Sequence, residues 1–447
     1  MYKDKEGVAA LLPKKPMSQD NITPKPKKKA GKIFLRILCV FLCVLLVFIG
    51  VTTLVSVFGN RANTKKAASF PAVEIKNRIA PEKDEDGNWT FTTDDDFKVL
   101  QLTDIHIGGG WMCLKKDAMA LNTVAAMISA EQPDLVIITG DIAYPVPFQA
   151  GTFNNKSSAK IFVELMEKLG VYWTLAFGNH DTEAYSYFDR EDMGDFYENV
   201  AANSKYCLFQ KGPEDVDGVG NQIVNIKNGD GIVTESLYLF DSHSYTDNDY
   251  FGILWKYDNM HENQVEWYRN TLARTNEKNA AAAEAAGVDA PEMVKSLAFF
   301  HIPLTEMKDA WDEYAANGYQ DTENVKLIYG VAGETGKVVY GGVHEDNLFE
   351  TMQELGSTKG VFFGHDHYNH FSFDYKGIRL TYGMSVDYLA YPGIYKLGGQ
   401  RGCTPIIIHP DGTFDYSQEN YYQDKYTSLY EKESVSMQEV TYATEEG

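Results

Sequence analysis

Five segments of this 447-residue chain carry side chains that could hold metal ions. They are Asp104-x-His106, Gly140-Asp141, Gly178-Asn179-His180-Asp181, His301-x-Pro303 and Gly364-His365-x-His367. Five of the ten histidines fall within them, which is more than scattered surface residues would give. The donors are carboxylates, imidazoles and one carboxamide, with no thiolate. That set suits hard or borderline metals. Residues separated by one position, as in Asp104/His106 and His365/His367, lie on the same side of an extended segment. Two close ions sharing a carboxylate can activate a bridging water for in-line attack on phosphorus. Each segment alone is common by chance; the five in this order are specific together.

The segments need a scaffold, and apolar runs precede each one. Phe97–Leu102, Leu135–Thr139, Val171–Phe177, Ser296–Phe300 and Gly360–Phe363 read as strands. Ile232–Phe240, Ile378–Tyr382 and Pro405–His409 read as three more. Leu114–Glu131, Ala159–Leu169 and His261–Arg274 have helical period. Glu277–Gly287 is Ala-rich and reads as an exposed helix or insertion. Strands alternating with helices predict an α/β fold with a largely parallel core. In such sheets, sites form beyond the carboxyl ends of the strands, where these segments lie. There is no internal repeat.

The ordered set resembles the calcineurin-like metallophosphoesterases, most closely their purple-acid-phosphatase-like branch, over roughly Phe97 to Ser417. The resemblance implies a four-layer α/β/β/α sandwich holding two divalent or trivalent ions (Mn, Fe or Zn). It implies Asp104, His106, Asp141 and His367 on one metal and Asp141, Asn179, His301 and His365 on the other, with Asp141 bridging. His180 would bind or protonate the leaving-group side of the phosphate, and Asp181 would orient His180. The purple enzymes place a metal-binding tyrosinate in Gly-Asp-x-x-Tyr. Tyr144 stands at that position, but His106 supplies a ligand those enzymes lack. Tyr144 is therefore expected at the wall of the site, in a colourless enzyme.

Other residues compete for roles. His243, His261 and His344 are rivals of His301, which is preferred because it closes an apolar run and precedes x-Pro. His243 also follows a strand and reads equally as a substrate contact at the rim or as a loop polar residue. Asn369 and His370 read as structural. Tyr245–Tyr257 reads as a packed loop rather than a substrate wall.

Charge divides the chain. The formal net charge is −22, which disfavours nucleic acid as a partner. Yet residues 1–36 hold ten Lys/Arg and three Asp/Glu, net +7, leaving −29 for the rest. Residues 37–58 form an uncharged apolar run. As a helix it spans about 33 Å, enough for a hydrocarbon core of about 30 Å. It is longer than a signal-peptide core, and no small-x-small site follows at Phe58-Gly59-Asn60-Arg61. It reads as an uncleaved anchor in the lipid bilayer. The basic flank puts the N-terminus in the cytoplasm and the acidic portion outside.

Cys39 and Cys43 lie in the apolar run. Cys113, Cys207 and Cys403 allow one disulfide at most, and no CxxC suggests a thiolate zinc site. Asn88-Trp89-Thr90 is a glycosylation sequon, used only in a eukaryotic secretory route. The expected organisation is a basic tail (1–36), a transmembrane helix (37–58), an acidic tether (59–96) with a short strand at Trp89–Thr92, a catalytic domain (97–418) and a weakly ordered acidic tail (419–447). The expected function is a membrane-anchored extracytoplasmic phosphoesterase using a metal-bridged hydroxide on small phosphate esters, first of all monoesters. A diesterase or nucleotide pyrophosphatase is the alternative on the same core. A catalytically inactive binding or scaffold protein is the alternative of another class; a missing ligand would be its sign, and none is missing.

Overall fold

The structure, a computed structural model, describes residues 28–391, 394, 401–433 and 435. In chain order the first elements are α1 (Lys28–Ala67), β1 (Glu82–Lys83), β2 (Trp89–Thr92), β3 (Phe97–Leu102), α2 (Leu114–Glu131), β4 (Leu135–Thr139), α3 (Asn155–Leu169) and β5 (Tyr172–Ala176). A single 3₁₀ turn, His180–Thr182, leads to α4 (Arg190–Asn203), β6 (Gln222–Lys227), β7 (Val233–Leu239), α5 (Glu262–Ala286), β8 (Lys295–Phe299) and α6 (Thr305–Ala316). Then come β9 (Val325–Tyr329), α7 (Leu348–Leu355), β10 (Thr358–Phe363), β11 (Ser372–Tyr375), β12 (Ile378–Tyr382), β13 (Gly402–Ile408), β14 (Phe414–Tyr416) and β15 (Glu419–Asn420).

Two compact units divide at residue 51. In the first, residues 28–51 are helical, and from residue 31 they are exposed. The helix Gly31–Ala67 is long and apolar enough to cross a membrane. It extends beyond the expected 37–58 at both ends, where Lys, Arg and Ala favour helix. Most of the basic tail, 1–27, lies outside the described residues.

The second unit contains two sheets. One has nine strands in the order β1-β2-β6-β7-β8-β10-β12-β11-β9. The other runs β14-β13-β3-β4-β5, with β15 paired to β13. Parallel pairing is strongest at the centres: β3-β4-β5 in one sheet and β7-β8-β10-β12 in the other. The outer pairs β6-β7, β11-β12, β9-β11 and β3-β13 are antiparallel.

Three apolar cores make four layers. Between the sheets lie Val99, Leu135 and Ile137 against Leu237, Leu297, Phe299 and Phe362. Alternate residues of the same strands (Leu100, Val136, Ile138) join α2 and α3 in a second core. Ala298, Phe300, Val361 and Phe363 join α5, α6 and α7 in a third. The central strands are thus apolar on both faces, which is why they read as continuous runs. The α/β/β/α sandwich is as expected.

Two segments differ from expectation. The tether is not merely extended: Ala67, Phe70 and Val73 are buried in the α2/α3 core, and β2 pairs with β6. Three buried residues spaced three apart, with Ala68, Ser69, Pro71 and Ala72 between them, gave too little periodic signal. The C-terminal segment is ordered at least to residue 433. Tyr421 and Tyr426 are buried in the same core, and Tyr426 Oη donates to Glu131 Oε1 at 2.7 Å. Its tyrosines are core residues with a polar tip; residues 434 and 436–447 lie outside the described residues. Cys113, Cys207 and Cys403 are buried and unbridged.

Candidate dinuclear metal centre

The central parallel strands of both sheets end at one place. Asp104 and His106 follow β3, Asp141 follows β4, and Asn179 and His180 follow β5. His301 follows β8, and His365 and His367 follow β10. Backbone bonds join these ends: Asp104 N–H donates to Gly140 O, and Gly364 N–H to His301 O. Asp104, His106, Asp141 and His365 all adopt positive φ, between 50° and 78°. That conformation is rare outside glycine and clusters at functional sites. It turns each side chain sharply off its strand. Gly178 and Gly364 allow the close approach: a Cβ on Gly178 would overlap the Asp141 carboxylate, and one on Gly364 would overlap Thr103 and crowd Asp104.

The turned side chains form two nests. In the first, donor atoms of Asp104, His106, Asp141 and His367 lie within 4.8 Å of one another, all buried. Asp104 Oδ1 is 3.3 Å from His367 Nε2, and Asp141 Oδ2 is 3.2 Å from His106 Nε2. In the second, His301 Nε2 lies 3.2 Å from Asp141 Oδ2 and 3.2 Å from Asn179 Oδ1. His365 Nδ1 lies 3.1 Å from Asn179 Oδ1 and 3.4 Å from His301 Nε2. Asp141 Oδ2 belongs to both.

These separations fit metal ions. Ligands about 2.0–2.2 Å from one tetrahedral ion sit about 3.3 Å apart. The His301 Nδ1–H donates to Thr139 O at 2.8 Å, so Nε2, which faces His365 Nδ1, is the nitrogen left for an ion that displaces its proton.

Electrostatics agree. Burial raises the Asp141 carboxyl, but His301 and His180 outweigh it and hold it well below the ordinary range. Burial alone would lower His301; Asp141 reverses this and lifts it to about 9. His365 is pushed well down by burial and by His301, so it stays neutral. These are opposite charges packed together out of water, in the manner of a ligand set.

His180 stands beside the nests with its ring partly exposed. Its backbone N–H donates to Asp141 Oδ1 at 2.8 Å. Its Nδ1 lies 2.7 Å from Glu183 Oε1, not on Asp181. Asp181 has another task. It accepts backbone N–H groups of Asp141, Ala143 and Gly178 at 2.8–2.9 Å, pinning the turns that carry the ligands. The expectation that Asp181 orients His180 is thus corrected: the His180–Thr182 turn points the two side chains apart and brings Glu183 under the imidazole.

Tyr144 is at the wall. Its ring lies 4.6 Å from that of His106 and 4.8 Å from that of His180, while its Oη donates to Gln149. Burial, then Asp387, raise the phenol far above its usual range, so it stays protonated. His243 is turned elsewhere. Its Nε2 meets Gln264 Oε1 at 3.0 Å and its ring stacks on His261 at 4.1 Å. Its role at the rim of this site has no contact to support it.

The match to known sequences decides the family. The model of the calcineurin-like phosphoesterases covers residues 97–369, more than half of the chain. The chain belongs to the calcineurin-like phosphoesterase family. Within it, the chain is similar to two Arabidopsis thaliana proteins named "Probable inactive purple acid phosphatase" 14 and 28. The first is 31% identical over 67% of this chain and 73% of that protein; the second is 27% identical over 70% and 76%. The phosphatase DCR2 of Saccharomyces cerevisiae is 28% identical over 48% of this chain and 36% of its own length. A dimetal phosphatase from Danio rerio aligns at TM-score 0.46 and 11% identity, over 74% of this chain and 98% of that one.

Within this calcineurin-like site, sequence reasoning missed four residues. Glu183 is one. Asp387, past the end of β12, is the second: its carboxylate oxygens lie 3.1 Å from His106 Nδ1 and 3.5 Å from His367 Nδ1. The two imidazoles outweigh burial and keep it ionised. Tyr245 and Tyr257 correct the packed-loop reading. Tyr245 Oη is 3.0 Å from Asn179 Nδ2 and donates to Glu183 Oε1, and the Tyr257 ring meets His365 edge-on at 4.2 Å. They are walls of the site.

Proposed function

We propose that this protein is a membrane-anchored, extracytoplasmic phosphoesterase that hydrolyses small phosphate esters, monoesters first. The observation that carries the reading is a complete pair of donor nests sharing Asp141 Oδ2, with His180 open to solvent beside them. Bound ions of the Mn, Fe or Zn type would supply Lewis acidity at phosphoryl oxygens and an activated water. Asp104, His106, Asp141 and His367 would hold one, and Asp141, Asn179, His301 and His365 the other.

The protein's own groups then do the rest. Asp387 fixes the rings of His106 and His367, and Thr139 O fixes the tautomer of His301. Glu183 accepts from His180 Nδ1 and orients the ring. Nε2 of His180 is then the proton donor to the leaving oxygen. Tyr245, Tyr257 and Tyr144 wall the substrate space and exclude water. The apolar length of α1 and the basic residues before it support a single anchor with the N-terminus in the cytoplasm. The −29 outside portion disfavours polyanionic substrates.

The test is turnover of p-nitrophenyl phosphate and its bis ester by protein loaded with Mn, Fe, Zn or Co. Faster hydrolysis of the monoester, lost in Asp141→Asn and His180→Ala, is expected. Faster hydrolysis of the diester would favour the diesterase or nucleotide pyrophosphatase reading. The names of the two plant relatives favour the second class, a non-hydrolytic binding protein. Two metals per chain with no turnover of either ester would establish that reading instead.

A further inference from the structure

A second histidine cluster lies outside the dinuclear centre. His243, Asp258 and His261 place one donor atom each within 4.8 Å, at half-buried positions. They share no side chain with the two nests. His243 and Asp258 are the two feet of the loop 244–257. That loop is closed by Asp258 N–H to Ser244 O at 3.3 Å and Thr246 N–H to Lys256 O at 2.9 Å. His261 stands at the start of α5.

The hydrogen bonds around the cluster fix the tautomers. Gln264 Nε2 donates to Asn221 Oδ1 and to Asp241 O, so Gln264 Oε1 must accept. It accepts the backbone N–H of His261 at 2.8 Å and faces His243 Nε2 at 3.0 Å. His243 Nε2 therefore carries the hydrogen, and its Nδ1 carries a bare lone pair. Asp217 Oδ2 lies 2.8 Å from His261 Nδ1, which leaves His261 Nε2 directed toward Asp258 Oδ2 at 3.5 Å. Each imidazole has an acceptor on one nitrogen, Gln264 Oε1 for His243 and Asp217 Oδ2 for His261, which leaves the other nitrogen for a ligand. This is how proteins set histidines as metal ligands.

We propose that His243, Asp258 and His261 form a separate third metal site, for a borderline divalent cation of the zinc class, which clamps the base of loop 244–257. Two imidazoles, one carboxylate and an open position suit that class. The dipole at the start of α5 opposes a cation, and the carboxylates of Asp217, Asp258 and Glu262 offset it. A cavity of about 770 Å³ adjoins His261 and is lined by Glu262, Glu266, Glu345 and Asp346, which draw cations toward it. The clamp has a reader: the loop carries Tyr245 and Tyr257, the walls on Asn179 and His365. An ion at the loop's feet fixes those walls without touching the dinuclear centre.

Zinc content measures this directly. Full-length protein in detergent is equilibrated with Zn²⁺, desalted and assayed by elemental analysis. The His243→Ala/His261→Ala variant is expected to hold one zinc per chain fewer than the wild type. Asp258→Asn, which keeps the shape and removes the charge, is expected to weaken the last-filled zinc at least tenfold by competition with a chelator. Unchanged stoichiometry in the double variant and unchanged affinity in Asp258→Asn would overturn the proposal. Neither readout depends on turnover, so the result stands apart from the phosphoesterase reading.

Discussion

The imidazole of His180 rests on Glu183, with Nδ1 and Oε1 2.7 Å apart. The two residues lie three positions apart across a single 3₁₀ turn. Nothing else in the turn presents a carboxylate to that ring, and the same Glu183 oxygen accepts from Tyr245. The pair fixes the ring orientation of His180 through Nδ1 and leaves Nε2 available to a substrate.

Glu183→Gln is expected to keep the metals and lose rate. General acid catalysis contributes about 10²–10⁴-fold, and a neutral partner forfeits part of it. A fall in kcat of about 10–100-fold is expected, with KM little changed. An unchanged kcat would show that Glu183 only packs.

Asp387→Ala is expected to act on one metal more than the other. Its carboxylate backs His106 and His367, both in the first nest, and neither ligand of the second. Loss of such an outer partner costs about 10–100-fold in metal affinity. Stepwise chelation should therefore release one ion early while the second stays at wild-type affinity.

Tyr144→Phe is expected to leave the visible spectrum of the metal-loaded protein unchanged. The phenol donates to Gln149 and is held protonated by burial and by Asp387. A visible charge-transfer band in iron-loaded wild type that disappears in the variant would reverse the assignment of Tyr144 to the wall.

Glu306→Gln is expected to stabilise the fold at alkaline pH only. Burial, with Asp346 and Glu350 nearby, raises Glu306 to about 7 from an ordinary 4.5. The folded state therefore binds this proton more tightly than the unfolded state. The stability it adds is complete below about pH 4.5 and is lost as pH rises through about 7. At pH 8 the glutamine variant should resist urea by about 3 kcal/mol more than the wild type, and at pH 4.5 it should gain nothing.

The candidate metal ligands were legible because each follows a strand apolar on both faces. β4, Leu135–Thr139, is such a run, and Asp141 sits two residues beyond it. The partners of those ligands were not legible. Asp387 follows β12 by five residues, a spacing that names no strand-end motif, and only the sheet order sets it beside β10. Glu183 was hidden by its neighbour, since Asp181 is the nearer acid in sequence and the turn alone reverses their roles. Among the strands, β9, Val325–Tyr329, escaped because it lies at the edge of its sheet, where Lys326 and Ile328 are exposed. The ordered stretch at Tyr421–Tyr426 escaped because buried tyrosines in an acidic context read as surface.

The candidate ligands of the two nests come from both sheets. Asp104, His106, Asp141 and Asn179 belong to the smaller one, and His301, His365 and His367 to the larger. Ions bound there would join two layers that otherwise meet mainly through apolar contact. Occupancy and cohesion of the sandwich then become a single linked equilibrium, worth about 4 kcal/mol when free metal exceeds Kd a thousandfold. A chelator should lower the melting temperature of the whole sandwich, and a protein that parts its sheets should lose its ions in the same event.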